Sequence, residues 1–110
     1  MKLPNAERAI VADEKLRDYC LNPEHPRGRH KARVFAAKTG LTVLGVELLR
    51  TALLEAAYNG KAVATEKDQY GQRYTIDFMF RGVGGQARVR SCWMVRRNED
   101  FPRLTSCYIL

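Results

Sequence analysis

Apolar residues follow the helical repeat up to about residue 60, and the two-residue alternation of strands after it. Leu3 to Val11 form a lead-in, within which Ala9-Ile10-Val11 either add an edge strand or pack down. Asp13 has the chemistry of an N-cap for a helix from about Glu14 to Leu21 that turns Leu16, Tyr19 and Cys20 inward. Asn22-Pro23 and His25-Pro26-Arg27-Gly28 break the chain. A second helix is expected from about Arg29 to Lys38, with Ala32, Phe35, Ala36 and Thr39 on one face and His30, Val34 and Ala37 opposite. Gly40 ends it as a C′ residue. Thr42 caps a third helix, with Leu41 and Val46 placed for a hydrophobic staple. Its stripe of Leu44, Leu48, Leu49, Ala52, Leu53 and Ala56 is core patterning, and Asn59-Gly60 closes it.

Lys61 to Lys67 make a weak strand, followed by a turn at Tyr70-Gly71. Residues 72–81 alternate, Tyr74, Ile76, Phe78 and Phe80 against Arg73, Thr75, Asp77 and Met79. After a hairpin at Gly82-Val83-Gly84-Gly85, Ala87, Val89, Ser91, Trp93 and Val95 oppose Arg88, Arg90, Cys92, Met94 and Arg96. Parity with Val89 and Val95 makes Trp93 a core residue. A last turn over 98–102 leads into a strand from Leu104 to Leu110. The elements predict an α+β fold in a single domain, 1–110, with N-terminal helices packed on one face of a four-stranded antiparallel sheet. The wet face would carry Arg73, Thr75, Asp77, Arg88, Arg90 and Thr105.

Charge sharpens this picture. The 110 residues hold 19 Lys and Arg against 12 Asp and Glu, a net charge of +7. The cations cluster: Arg27, Arg29, Lys31 and Arg33 surround His30 without an acid, and Arg88, Arg90, Arg96 and Arg97 share residues 88–97, again without an acid. Clustered Arg is the electrostatic footprint of a polyanion-binding surface. No run approaches the ~20 apolar residues of a membrane helix, and Met1 to Asn5 lack the apolar stretch of a secretory signal. The expected setting is therefore cytoplasmic, with no membrane partner. Cys20, Cys92 and Cys107 are odd in number and fit small buried hydrophobes of a reducing compartment. The spacing Cys20-x4-His25-x4-His30 lacks a fourth ligand for structural zinc, so neither a metal nor another cofactor is expected.

Metal-free RNA cleavage needs few groups: a base for the 2′-hydroxyl, an acid for the leaving oxygen, and cations to hold the phosphate. The chain has two His. His30 opens the second helix, where backbone N–H groups favour an anion, whereas His25 sits in a Pro-bounded loop and is less fixed. Arg88 and Arg90 share the wet sheet face with Asp77, which also fits a plain cross-strand ion pair.

The strings Leu16-Arg17-Asp18-Tyr19-Cys20-Leu21-Asn22-Pro23-Glu24-His25-Pro26, Gly28-x-His30-Lys31-Ala32-Arg33-Val34-Phe35 and Tyr70-Gly71-Gln72-Arg73-Tyr74 stand in order. Val89-Arg90-Ser91-Cys92-Trp93 and Pro102-Arg103-Leu104-Thr105-Ser106-Cys107-Tyr108 follow them. Together they resemble an uncharacterised bacterial domain family that occurs alone and at the C-termini of polymorphic toxins. The order of elements is similar to that of the barnase, EndoU, colicin and RelE ribonuclease superfamily. That resemblance implies that His30 with Lys31 match a helix-borne catalytic pair, and that Thr105 and Tyr108 are phosphate-side groups. Ser106 stands where the family's ending usually has a second Thr.

The function expected on these grounds is a metal-independent endoribonuclease of bacterial toxin type. His30 would be the acid or base, and Lys31, Arg90, Thr105 and Tyr108 would complete the catalytic group. Arg27, Arg29, Arg33, Arg73 and Arg88 would bind the RNA. A neutral or acidic antitoxin or immunity protein would be its partner. The alternative is a noncatalytic nucleic-acid or protein-binding module, such as the partner component of a toxin–antitoxin pair, in which His30 is dispensable.

Overall fold

A computed structural model describes residues 1–110. A 3-10 turn at Ala6–Arg8 precedes α1, which starts as Asp13–Lys15 and continues as a π-helical turn over Leu16–Cys20. α2 spans Arg29–Thr39 and α3 spans Val46–Asn59. The strands are β1 (Ala62–Asp68), β2 (Gly71–Gly82), β3 (Gly85–Arg96) and β4 (Pro102–Ile109). They form an antiparallel meander in the order β1-β2-β3-β4. The architecture is the expected α+β one, helices first and a four-stranded sheet second. No helix is long and apolar enough to cross a membrane.

The core lies between the helices and one face of the sheet. Leu16, Phe35, Leu49 and Leu53 from the helices join Ile76, Phe80, Val89, Trp93, Leu104 and Cys107 from the strands. Trp93 is buried as its parity predicts, and its indole N–H donates to Ser91 Oγ, whose own hydroxyl donates to the Ile76 carbonyl. Every polar atom of that buried pair is thereby satisfied, which a core in low dielectric requires.

The helical stripe needs correction at its start. Leu44 is 94% exposed and Leu48 51% exposed, while Val46 and Ala57 are buried in their place. Residues Val43–Gly45 form a 3-10 turn, whose three-residue period rotates Leu44 outward before α3 begins. Thr42 does cap that turn, accepting from the Leu44 N–H. Asp13 is not an N-cap: Ala12 holds that position, and the Asp13 carboxylate instead pairs with Arg17 and Arg50. Ala36 is exposed although it was expected on the buried face of α2.

Two glycines act through geometry that only they allow. Gly40, at φ 74°, takes the left-handed position that ends α2, its N–H donating to the Ala36 carbonyl. Gly82 and Gly85 pair around a two-residue hairpin, and a Cβ on Gly82 would lie 2.2 Å from the Thr39 carbonyl oxygen. The hairpin therefore docks backbone-to-backbone on the end of α2.

Two features position β4. The chain at Ile10 runs parallel beside its first half, donating to the Pro102 carbonyl and accepting from the Leu104 N–H, both at 2.9 Å. The lead-in thus contributes an edge bridge. In the β3–β4 ladder, Cys92 pairs with Ser106 but Trp93 pairs with Leu104, so Thr105 is an extra residue. It makes a β-bulge, and the Thr105 hydroxyl donates across it to the Cys92 carbonyl at 3.1 Å. The bulge resets the alternation of β4. Beyond it Cys107 enters the core, and Tyr108 falls opposite Arg90, on the face away from the helices.

Candidate functional site

Lys31 is the residue that joins the helices to this part of the sheet. From the first turn of α2 its ammonium donates to the Tyr19 hydroxyl at 2.7 Å and to Ser106 Oγ at 3.2 Å. The same nitrogen lies 4.6 Å from the centre of the Tyr19 ring and 5.6 Å from that of Tyr108. Half-buried and tied to two hydroxyls, it is a cation held in place and not a loose surface chain. His30, its neighbour, is exposed and lines a shallow recess of about 240 Å³ with Lys31, Val34, Tyr108 and Ile109. His30, Lys31 and Tyr108 therefore meet at the edge of β4.

Arg90 stands next to this recess as the direct cross-strand partner of Tyr108. Its guanidinium forks onto Asp77 on β2, Nε to Oδ1 at 2.8 Å and Nη2 to Oδ2 at 2.9 Å. Arg88 approaches the same carboxylate at 3.8 Å. Hydrogen bonding from Arg90, with the two guanidinium charges behind it, holds the Asp77 carboxyl below its ordinary range. Arg90 in turn is raised by Asp77 first and by the Tyr108 phenol to a lesser degree.

The remaining cations divide into spent and free. Arg73, on the wet face, is paired with Asp68 near the β1–β2 turn. Arg27, Arg29 and Arg33 are exposed and take part in none of the chain's ion pairs. One cluster of free positive charge therefore stands at the start of α2, around His30, where the helix end adds its own partial charge. Thr105 lies near the recess in sequence, but its proton is given to the Cys92 carbonyl, so its first role is to close the bulge.

His25 is better fixed than its loop setting predicts. Its Nδ1 accepts from the Arg27 and Gly28 N–H groups at 3.0 and 2.9 Å, and its ring meets Tyr19 edge-on at 5.0 Å between centroids. This places its proton on Nε2 and makes it the clamp of the loop that leads into α2. No three His, Cys, Asp or Glu side chains converge as a metal would require.

Tyr19, Ser106 and the Cys20–Cys107 pair belong to the site but carried no functional signal in the sequence. Both thiols are buried. The Cys107 thiol donates toward Cys20, and this, with Lys31 and Ser106 nearby, draws Cys20 down to about 7. Cys107 is pushed up by the Cys20 sulfur and by burial. The chain pattern marks Tyr19 only as an inward helix position, and Lys31 joins it to Ser106 only because β4 returns past α1 and α2.

The family model described as Domain of unknown function (DUF6883) matches residues 2–110. The chain belongs to the DUF6883 family. No curated protein matches this DUF6883 chain. Among solved structures it is similar to a chain of the contact-dependent growth inhibition toxin–immunity protein complex from Klebsiella pneumoniae 342. The likeness has a TM-score of 0.66 and covers 94% of the DUF6883 chain and 95% of the other, at 16% identity. At that identity it is a likeness of fold.

Proposed function

We propose that this DUF6883 domain is a metal-independent endoribonuclease of bacterial toxin type that works at the recess between α2 and the β4 edge. The observation that carries the reading is the meeting of His30, Lys31 and Tyr108 around one recess, with Arg90 opposite Tyr108. In this reading His30 exchanges a proton with the ribose 2′-hydroxyl or with the leaving 5′-oxygen and water serves the other, because its imidazole is exposed and can either accept or donate a proton. The 2′-oxygen bonds to phosphorus as the bond to the 5′-oxygen breaks, and the charge that builds on the phosphate faces Lys31 and Arg90. Tyr108 orients the phosphate, Thr105 holds the bulge that presents Tyr108, and Arg27, Arg29 and Arg33 draw the strand in. Arg73 contributes less, since Asp68 already engages it, whereas Asp77 positions Arg90 by its fork and holds Arg88 only loosely, at 3.8 Å.

The fold likeness to a member of a toxin–immunity complex supports a place in such a system, with a neutral or acidic immunity protein over the basic end of α2. The test is expression in bacteria of the wild type beside His30→Ala, with total RNA run on a gel. Growth arrest with discrete RNA fragments for the wild type alone is the expected result. Intact RNA from both would end the catalytic reading.

A noncatalytic partner of a toxin is the second reading. It is favoured by the internal use of sheet cations: Asp77 takes Arg90 and Arg88, Asp68 takes Arg73 and Glu99 takes Arg103. Harmless expression with whole RNA selects it.

A further inference from the structure

A groove of about 550 Å³ lies on the β3–β4 face at the end away from His30, and the chemistry above makes no use of it. The N-terminal segment beside β4 forms one wall, and the β1–β2 turn with the end of β3 forms the other. Four cations line it, Lys15, Arg96, Arg97 and Arg103, against one acid, Glu14. Arg103 is committed to Glu99 by two hydrogen bonds of 2.8 Å, and Arg96 reaches that carboxylate only at 4.0 Å. Lys15 and Arg97 are exposed and enter no ion pair. Tyr70 is 62% exposed at the rim. The Arg97 N–H donates to the Tyr70 carbonyl at 2.9 Å, so the backbones of the two residues are joined, and both line the groove.

An open aromatic ring, an uncommitted guanidinium and the apolar floor of Met94 are the parts from which single-strand binders make a nucleotide subsite. The ring stacks on a base of any sequence, and the guanidinium takes a phosphate. Met94 is on the same sheet face as Arg90 and four residues along β3, roughly 13 Å at about 3.3 Å per residue. One short strand can therefore lie along that face from the groove to the recess. We infer that the groove is a second subsite for single-stranded RNA, with Tyr70 stacking a base and Arg97 and Lys15 holding the backbone. This rests on the ribonuclease reading and extends its substrate to an unpaired segment several nucleotides long.

The probe is a fluorescent 2′-O-methyl oligoribonucleotide, which lacks the attacking hydroxyl and cannot be cut. Its anisotropy is titrated with the wild type, Tyr70→Ala, Arg97→Ala and, as a control of equal charge loss, Lys38→Ala. The substituted side chains are exposed, and circular dichroism checks that each variant is folded. Tyr70→Ala is expected to raise Kd roughly fivefold or more, the effect of losing one base stack. Arg97→Ala should lower the slope of log K against log salt by about one, beyond any change from Lys38→Ala. Unchanged binding by both Tyr70→Ala and Arg97→Ala overturns the subsite, and continued cutting of unmodified RNA would then leave the ribonuclease reading standing. Tyr70-dependent binding without any cutting keeps the subsite and removes the ribonuclease reading. No binding by the wild type at roughly 100 μM, the weak end of non-specific association, overturns both and leaves an acidic protein as the groove's occupant.

Discussion

Tyr108 stands directly across from Arg90 in the β3–β4 ladder, and it does so because Thr105 is inserted between Leu104 and Ser106 without a partner of its own. Without that bulge, Tyr108 would share the parity of Leu104 and point into the core. The bulge is thus the device that converts a hydrophobic strand ending into part of a polar site.

Removing the fixed cation separates chemistry from folding. Lys31→Met retains the aliphatic stem between Tyr19 and Tyr108 but loses the ammonium. RNA cleavage should fall about 100-fold or more, the scale of losing one preorganised charge donor. Thermal melting should stay within a few degrees of the wild type. Cleavage at the wild-type rate would exclude Lys31 from the site.

Asp77→Asn tests the carboxylate that restrains Arg90. The folded Asp77 carboxyl lies below its ordinary value, so the unfolded chain binds its proton first as acid is added. Its contribution to stability is therefore full above about pH 4, the unfolded value, and is lost as pH falls through the lower folded one. At neutral pH the variant should melt at most roughly 4–8 °C lower, and the gap should close in acid. Its affinity for RNA should rise, with a steeper salt dependence, because Arg90 and Arg88 are released. A gap that widens in acid would contradict the pairing.

Ser91→Ala addresses the buried network beneath the sheet. It removes the acceptor of the Trp93 indole N–H and the donor to the Ile76 carbonyl. Leaving a buried donor unpaired costs about 1–3 kcal/mol, and chemical denaturation should show that loss with an unchanged m value. Loss of less than about 0.5 kcal/mol would mean that water or another acceptor serves the indole.

Gly82→Ala probes the docking of the β2–β3 hairpin on α2. The added methyl would lie 2.2 Å from the Thr39 carbonyl oxygen, which is backbone and cannot rotate away. Destabilisation of roughly 1–3 kcal/mol or more is expected from such overpacking. Nearby Val83→Ala, at a fully exposed tip, should change the melting curve little.

The order of helices and strands, the core face of β2 and β3, the burial of Trp93 and the hairpin over residues 82–85 were all legible in the chain. Each follows from a local period or from turn chemistry, which neighbouring residues decide among themselves. Helix ends were less legible: the 3-10 turn before α3 rotated Leu44 into solvent, and Asp13 found Arg50, 37 residues away, instead of capping its own helix.

The cationic clusters and His30 were also visible, but their electrostatic meaning was not. Composition counts Arg90, Arg73 and Arg97 alike, whereas the fold pairs the first two with carboxylates and leaves the third beside Tyr70. Sequence alone determined that this chain folds helices onto one face of an antiparallel meander and carries an excess of positive charge. Tertiary structure decided which charges remain free and which hydroxyls Lys31 meets. The reason is physical: a period is set by adjacent residues, while a bulge, an ion pair or a helix-to-strand contact depends on how distant segments come to lie against each other.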